Sequence, residues 1–111
     1  MQINVTSRHF KAHESLVEYA EAEASKLERF YDGITKCEVI LKFEKPRQSD
    51  KIAEAIVSVY GAKLTGIAHS DDFFKSIDAA LEKIIVQVKK YKEKLRSKDR
   101  KVVRDVRAKA N

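Results

Sequence analysis

Tryptophan is absent from the 111 residues, cysteine and proline occur once each, and glycine occurs three times. The single cysteine, Cys37, excludes an intrachain disulfide and fits a reducing compartment. Gly33, Gly61 and Gly66 are too scattered to make a G-x-x-x-x-G-K-S/T phosphate loop or a G-x-G-x-x-G dinucleotide turn. No run of about eighteen apolar residues is present for a membrane span, and the start, M-Q-I-N-V-T-S-R-H-F-K, lacks the apolar stretch of a secretory signal. The expectation is a soluble, cytoplasmic protein with no membrane partner.

Catalytic sets are missing as well. His9, His13, His69 and Cys37 show no metal-ligand spacing, and Cys37 falls on an inward-facing strand position, where a thiol is structural rather than nucleophilic. Asp71 and Asp72 form an acidic pair that helix capping explains more simply than acid–base chemistry. We therefore expect a protein that is not an enzyme, with no cofactor, metal or small-molecule substrate.

What is present in quantity is charge, and it is segregated. The net charge is +6, yet residues 13–32 carry six acids against Lys26 and Arg29, while residues 83–109 carry twelve Lys and Arg against Glu93, Asp99 and Asp105. Such a divided field points to a polyanionic partner. On charge alone, a merely solvated lysine face fits equally well.

Hydrophobic periodicity sets the fold expectation. Gln2 to Ser7 alternates as a half-buried strand; residues 14–31 carry Leu16, Ala20, Ala24, Leu27 and Tyr31 at helical spacing, with Asp32-Gly33 as a stop and Gly33 taking the left-handed C-terminal position. From Lys36 the period becomes two, with Cys37, Val39, Leu41 and Phe43 facing in, and the strand ends at the turn Pro46 to Asp50. Two more strands follow, Ala53 to Tyr60 and Lys63 to His69, joined at Gly61-Ala62, with small residues at 66 and 68 that let a helix approach. From Asp71 to Leu95, Phe74, Ile77, Leu81, Ile84, Val88, Tyr91 and Leu95 step by three and four as one buried face, capped by Ser70 or Asp71. The order β-α-β-β-β-α predicts an α+β two-layer sandwich, a four-stranded sheet with both helices on one face. Residues 1–96 form one domain. Residues 97–111 form a basic tail expected to be frayed helix or disorder until a partner orders it.

The second helix supplies the binding surface. At about 100° per residue, Lys83, Gln87, Lys90 and Lys94 fall on the side away from the apolar stripe, a row roughly 16 Å long. Lys75 precedes it, and Lys89, Lys92 and Arg96 flank it. Lys92 lies nearer the apolar stripe than Lys90, so it is expected to snorkel over the core and to bind less. Lysines read phosphate by position rather than by sequence. Tyr60 and Phe10 are the aromatics available for stacking, but both are explained as core or rim residues.

Residues 1–96 resemble the ribosome hibernation promoting factor family, also called ribosome-associated inhibitor or sigma-54 modulation proteins, in its short form. The blocks that carry the resemblance are Q-I-N-V-T-S-R-H at 2–9, S-K-L-E-R-F-Y-D at 25–32, V-I-L-K-F-E-K at 39–45 and D-D-F-F-K-S-I-D-A-A-L-E-K-I-I-V-Q-V-K-K-Y-K-E-K-L at 71–95. The most specific is D-x-F/Y-x-x-I-D followed by K-x-x-x-Q-x-x-K-x-x-x-K, matched at Asp72, Phe74, Ile77, Asp78, Lys83, Gln87, Lys90 and Lys94. Phe74 stands where many relatives have tyrosine, which removes a hydroxyl and keeps the packing.

The resemblance implies a fold similar to double-stranded RNA-binding domains and a cytoplasmic, ribosome-associated protein that is itself a monomer. It implies binding to the small ribosomal subunit and its rRNA, and to whole ribosomes, between head and body over the A and P sites. Exclusion of tRNA and mRNA there inhibits translation under stress or in stationary phase. Long relatives add a C-terminal domain that pairs ribosomes; with the chain ending at Asn111, direct pairing is not expected. The residues expected to contact rRNA are Lys83, Gln87, Lys90 and Lys94, assisted by Arg8, Lys26, Lys75, Lys89, Lys92 and Arg96. The alternatives are a free double-stranded RNA-binding module and a non-ribosomal regulator that binds protein through the sheet's polar face.

Overall fold

The structure is a computed structural model. It describes residues 1–44 and 50–110, with side chains as far as Leu95. The chain forms β1 (Gln2–Ser7), α1 (Glu14–Ser25) continued by a 3-10 turn (Lys26–Arg29), β2 (Lys36–Phe43), β3 (Lys51–Val59), β4 (Ala62–Ser70) and α2 (Phe73–Ala110). The strands lie in the order β1-β2-β3-β4. β1 runs parallel to β2 with Ile3 opposite Cys37, and β2, β3 and β4 form an antiparallel meander with Val39 opposite Ala55 and Ala55 opposite Gly66. The expected α+β sandwich is the observed fold. The turn expected at Pro46 to Asp50 lies, save for Asp50, outside the described residues.

Period-two patterning explains why one sheet face is dry. Cys37, Val39, Leu41, Ala53, Ala55 and Val57 are fully buried beneath Leu16, Ala20, Ala24 and Leu27 of the first helical segment and Ile77, Ile84 and Val88 of α2. The outer face carries the ion pairs Lys36–Glu38 at 2.6 Å and Lys42–Glu54 at 3.8 Å. Small residues set the height of α2 over the sheet: a Cβ on Gly66 would stand 2.6 Å from the Ala80 carbonyl oxygen. At the start of α2, fully buried Ser76 donates to the Lys51 carbonyl at 2.6 Å and shares a 2.7 Å bond with Ser70 Oγ, so its hydroxyl is satisfied inside the core.

Four local expectations are corrected. The first helix stops at Ser25 and tightens into the 3-10 turn, with the Phe30 N–H bonded to the Leu27 carbonyl; this keeps Leu27 buried while the chain bends toward β2, and it leaves Tyr31 outside the helix. Gly33 is not left-handed; the Tyr31 ring occupies the space its Cβ would take, and among the described residues those with positive φ are His9 and Gly61. The cap of α2 is Asp72, whose Oδ1 accepts the Phe74 N–H at 2.9 Å, rather than Ser70 or Asp71, and the helix begins two residues later than expected. Finally, Phe73 rather than Phe74 enters the core. Phe10 and Phe43 leave a pocket that Phe73 fills at centroid distances of 5.3 and 5.2 Å, while Phe74 turns outward to meet Tyr19 edge-on at 5.0 Å. Leu95, at 38% exposure, likewise leaves the buried stripe. The α2 backbone stays helical to Ala110, while the side chains of the tail lie outside the described residues.

Candidate nucleic-acid interface

α2 lies along β4, and the two elements match in pitch. One helical turn of four residues rises about 6 Å, close to the roughly 6.7 Å spanned by two strand residues. Donors four apart on α2 therefore meet alternate carbonyls of the β4 edge. The Lys83 ammonium donates to the Ile67 carbonyl, and Gln87 Nε2 donates to the Thr65 carbonyl at 2.6 Å. One turn further, the Tyr91 hydroxyl donates to the Tyr60 carbonyl at 2.7 Å. Sheet edges need some such cover, because unpaired backbone groups invite another strand. Lys83 and Gln87 thus lie beside the sheet rather than on the side away from it, and both bond the protein itself.

Lys90 and Lys94 are exposed, on the middle stretch of α2 that passes the β3–β4 turn. On the side of α2 toward the first helix, the Lys89 ammonium sits 5.7 Å from the centre of the Phe30 ring. Lys92 donates to the Phe30 carbonyl at 2.9 Å and is half-buried, the snorkelling geometry expected of it. Lys26 pairs with Glu23 at 2.9 Å. Lys75 pairs with Asp71 at 3.7 Å near the opposite end of α2. Arg8 follows β1, its backbone N–H donating to the Leu41 carbonyl at 2.9 Å. Because Leu41 is level with Ala53 and Ala68, Arg8 lies at the α2 N-terminal end of the sheet, across from Lys90 and Lys94. Arg96 lies outside the described side chains. The expected residues therefore do not form one patch: Lys26, Lys89 and Lys92 lie on the side of α2 toward the first helical segment, Lys90 and Lys94 are exposed on the side that Lys83 and Gln87 turn to the β4 edge, and Arg8 and Lys75 lie near the other end of the sheet.

Arg29 was missed, although its place three residues after Lys26 is a helical-face signal. It joins Lys26, Asp78, Glu82 and Ile85 around an open groove of about 370 Å³ between the two helical segments. The groove is spanned by the Tyr19 hydroxyl donating to Asp78 Oδ1 at 2.6 Å, which with partial burial pushes the Tyr19 pKa up to about 12. Asp78 thus ties α1 to α2. Burial, with the Glu38 charge, pushes the Cys37 thiol up to about 11, as befits a packed side chain rather than a nucleophile. Among the described residues no cluster of His, Cys, Asp and Glu is arranged to hold a metal ion. No helix there is long and apolar enough to cross a membrane.

The half-buried bond of Lys92 and the exposure of Lys90 lead to a direct comparison. Lys90→Ala is expected to weaken RNA binding several-fold, and Lys92→Ala less than Lys90→Ala, in a salt-controlled titration with small ribosomal subunits. A larger effect at Lys92 would mean that the wrong side of α2 has been taken as the interface.

Several known proteins are similar to this chain in sequence or in fold. The ribosome hibernation promoting factor of Klebsiella oxytoca is 33% identical over 96 residues, 86% of this chain and 98% of that protein. That of Escherichia coli K12 is 32% identical with the same coverage. A ribosomal subunit interface protein from Coxiella burnetii superposes with a TM-score of 0.76 at 28% identity, over 84% of this chain and 99% of that one. The N-terminal domain of Protein Y from Thermus thermophilus has the same fold, with a TM-score of 0.71 at 24% identity over 82% and 99% of the two chains. Residues 3–96 match the family described as sigma 54 modulation protein / S30EA ribosomal protein, and the chain belongs to that family.

Proposed function

We propose that the protein is a non-enzymatic ribosome hibernation factor of the cytoplasm. Residues 1–96 bind the small subunit between head and body over the A and P sites, and so exclude tRNA and mRNA. The observation that carries this reading is the exposed pair Lys90 and Lys94 on the middle stretch of α2, anchored to the sheet by the Gln87 and Tyr91 bonds and hence presented at fixed spacing. A rigid helix sacrifices little conformational freedom on binding, so phosphate contacts made along it translate into affinity and register. The names of the hibernation factors and of the subunit interface protein support a ribosomal partner. Lys83 and Gln87 contribute chiefly by holding α2 against β4, and Lys26, Lys89, Lys90 and Lys94 meet rRNA, while the basic stretch 97–111 extends the field. Inhibition is steric and needs no chemistry.

The test is competition. Saturating protein should block binding of initiator tRNA and mRNA to small subunits and stop translation in vitro, with release as salt rises. Tight binding to a free RNA duplex and none to subunits would instead make the chain a double-stranded RNA-binding module. One observation favours a protein-docking reading: Ile67, on the outer face of the sheet, is 47% exposed, with Ile40 and Ile56 nearby. Under that reading Ile67→Asp abolishes inhibition; under ours it leaves both binding and inhibition intact.

A further inference from the structure

The connection between β3 and β4 is two residues long, Tyr60 and Gly61, closed by the Val59–Ala62 pair. Gly61 has φ +77, the left-handed backbone that such tight hairpins use. Neither packing nor turn chemistry accounts for Tyr60. Its side chain is 90% exposed, the most exposed of the large apolar residues among those described, and hairpin turns of this length favour Asn, Asp or Gly. The approach is open, since a Cβ on Gly61 would meet nothing within 4 Å. Yet the backbone of Tyr60 is held firmly. Its carbonyl accepts the Tyr91 hydroxyl, and the Tyr91 ring packs edge-on against Tyr31 at 5.7 Å. Lys90 and Lys94 flank Tyr91 within about one helical turn, roughly 5 Å along the axis.

We infer that Tyr60 is a stacking site for an unpaired RNA base, placed beside the lysines that hold the adjoining phosphates. An exposed aromatic on a braced turn, close along the fold to cations, is how proteins bind single-stranded nucleic acid; a continuous duplex has no free base face to offer. The inference rests on the reading of the Lys90–Lys94 stretch of α2 as an RNA interface and sharpens it: the RNA met there contains an unstacked base. It also replaces the expectation that Tyr60 is a core or rim residue.

The absence of tryptophan makes this directly measurable. Tyr60→Trp places the chain's one tryptophan at the proposed contact, and its emission is read as the difference from wild-type protein mixed with the same subunits. With small ribosomal subunits, emission of the bound protein should fall by about half or more, and Tyr60→Ala should bind about tenfold more weakly with an unchanged salt slope and melting temperature, because no charge and no buried group is lost. Tyr60→Phe should bind like the wild type. Co-sedimenting protein with unquenched Tyr60→Trp emission, or wild-type affinity for Tyr60→Ala, overturns the inference and leaves the ribosomal reading standing. If nothing co-sediments, the ribosomal reading fails, and a single-stranded oligoadenylate of about 12 nucleotides at low salt decides the stacking site. Quenching by it that a duplex of equal length does not produce upholds the site; no quenching overturns it.

Discussion

Replacing both Lys90 and Lys94 with Glu is expected to weaken binding to small ribosomal subunits by about 100-fold at moderate salt, with no change in melting temperature. Two phosphate contacts become two repulsions, and the dependence of log affinity on log salt should flatten by about two units. The pair is chosen because both side chains are exposed. Lys83 is a poorer choice, since Lys83→Glu also breaks the bond to the Ile67 carbonyl and opens the β4 edge. That variant should lose stability together with affinity, and it needs a melting curve beside every binding curve. Equal behaviour of the double reversal and the wild type in co-sedimentation would remove the Lys90–Lys94 stretch of α2 from the interface.

The largest effect on stability is expected at Ile84. Its side chain is fully buried in the core between α2 and the sheet, close against Gly66. Ile84→Ala should cost about 3–4 kcal/mol through lost transfer energy and an unfilled cavity. That is a large share of the 5–15 kcal/mol typical of a small domain, and at this size it lowers the melting temperature by about 15–20 °C. Urea unfolding measures it, with the midpoint moving and the slope unchanged. Where the variant is still folded, RNA affinity should be preserved, because packing and binding occupy different sides of α2. A fall of less than about 1 kcal/mol would contradict the close fit of helix and sheet at Gly66.

The order of elements and the dry sheet face were legible because periods of two and 3.6 are written directly in residues such as Cys37, Val39 and Leu41, or Ile77, Ile84 and Val88. The choice between Phe73 and Phe74 was not, since either can join a stripe that continues at Ile77. Only the aromatic pocket of Phe10 and Phe43, distant in sequence, decides it. The candidate surface was readable as composition and unreadable as geometry. A helical wheel places Lys83, Gln87, Lys90 and Lys94 on one side, but it holds no information about a neighbouring strand. It therefore could not separate the two that seal β4 from the two that face solvent. Lys92 was placed correctly because its distance from the apolar stripe is a property of the helix alone. Tyr60 was misread for the opposite reason: alternation along β3 assigns it a side of the sheet, and only the hairpin shows that it stands beyond the last strand pair.

The central claim, that the Lys90–Lys94 stretch of α2 lies against the decoding region of the small subunit, is most directly tested by tethered cleavage. Glu93 is exposed between Lys90 and Lys94, and Cys37 is fully buried with its thiol pushed up to about 11, so Glu93→Cys can be labelled selectively with an iron chelate. Hydroxyl radicals generated there are expected to cut small-subunit rRNA in the channel between head and body around the A and P sites, and the cuts should vanish when Lys90 and Lys94 are also reversed. Cleavage confined to other parts of the subunit, or cuts that survive the reversal, would contradict the account.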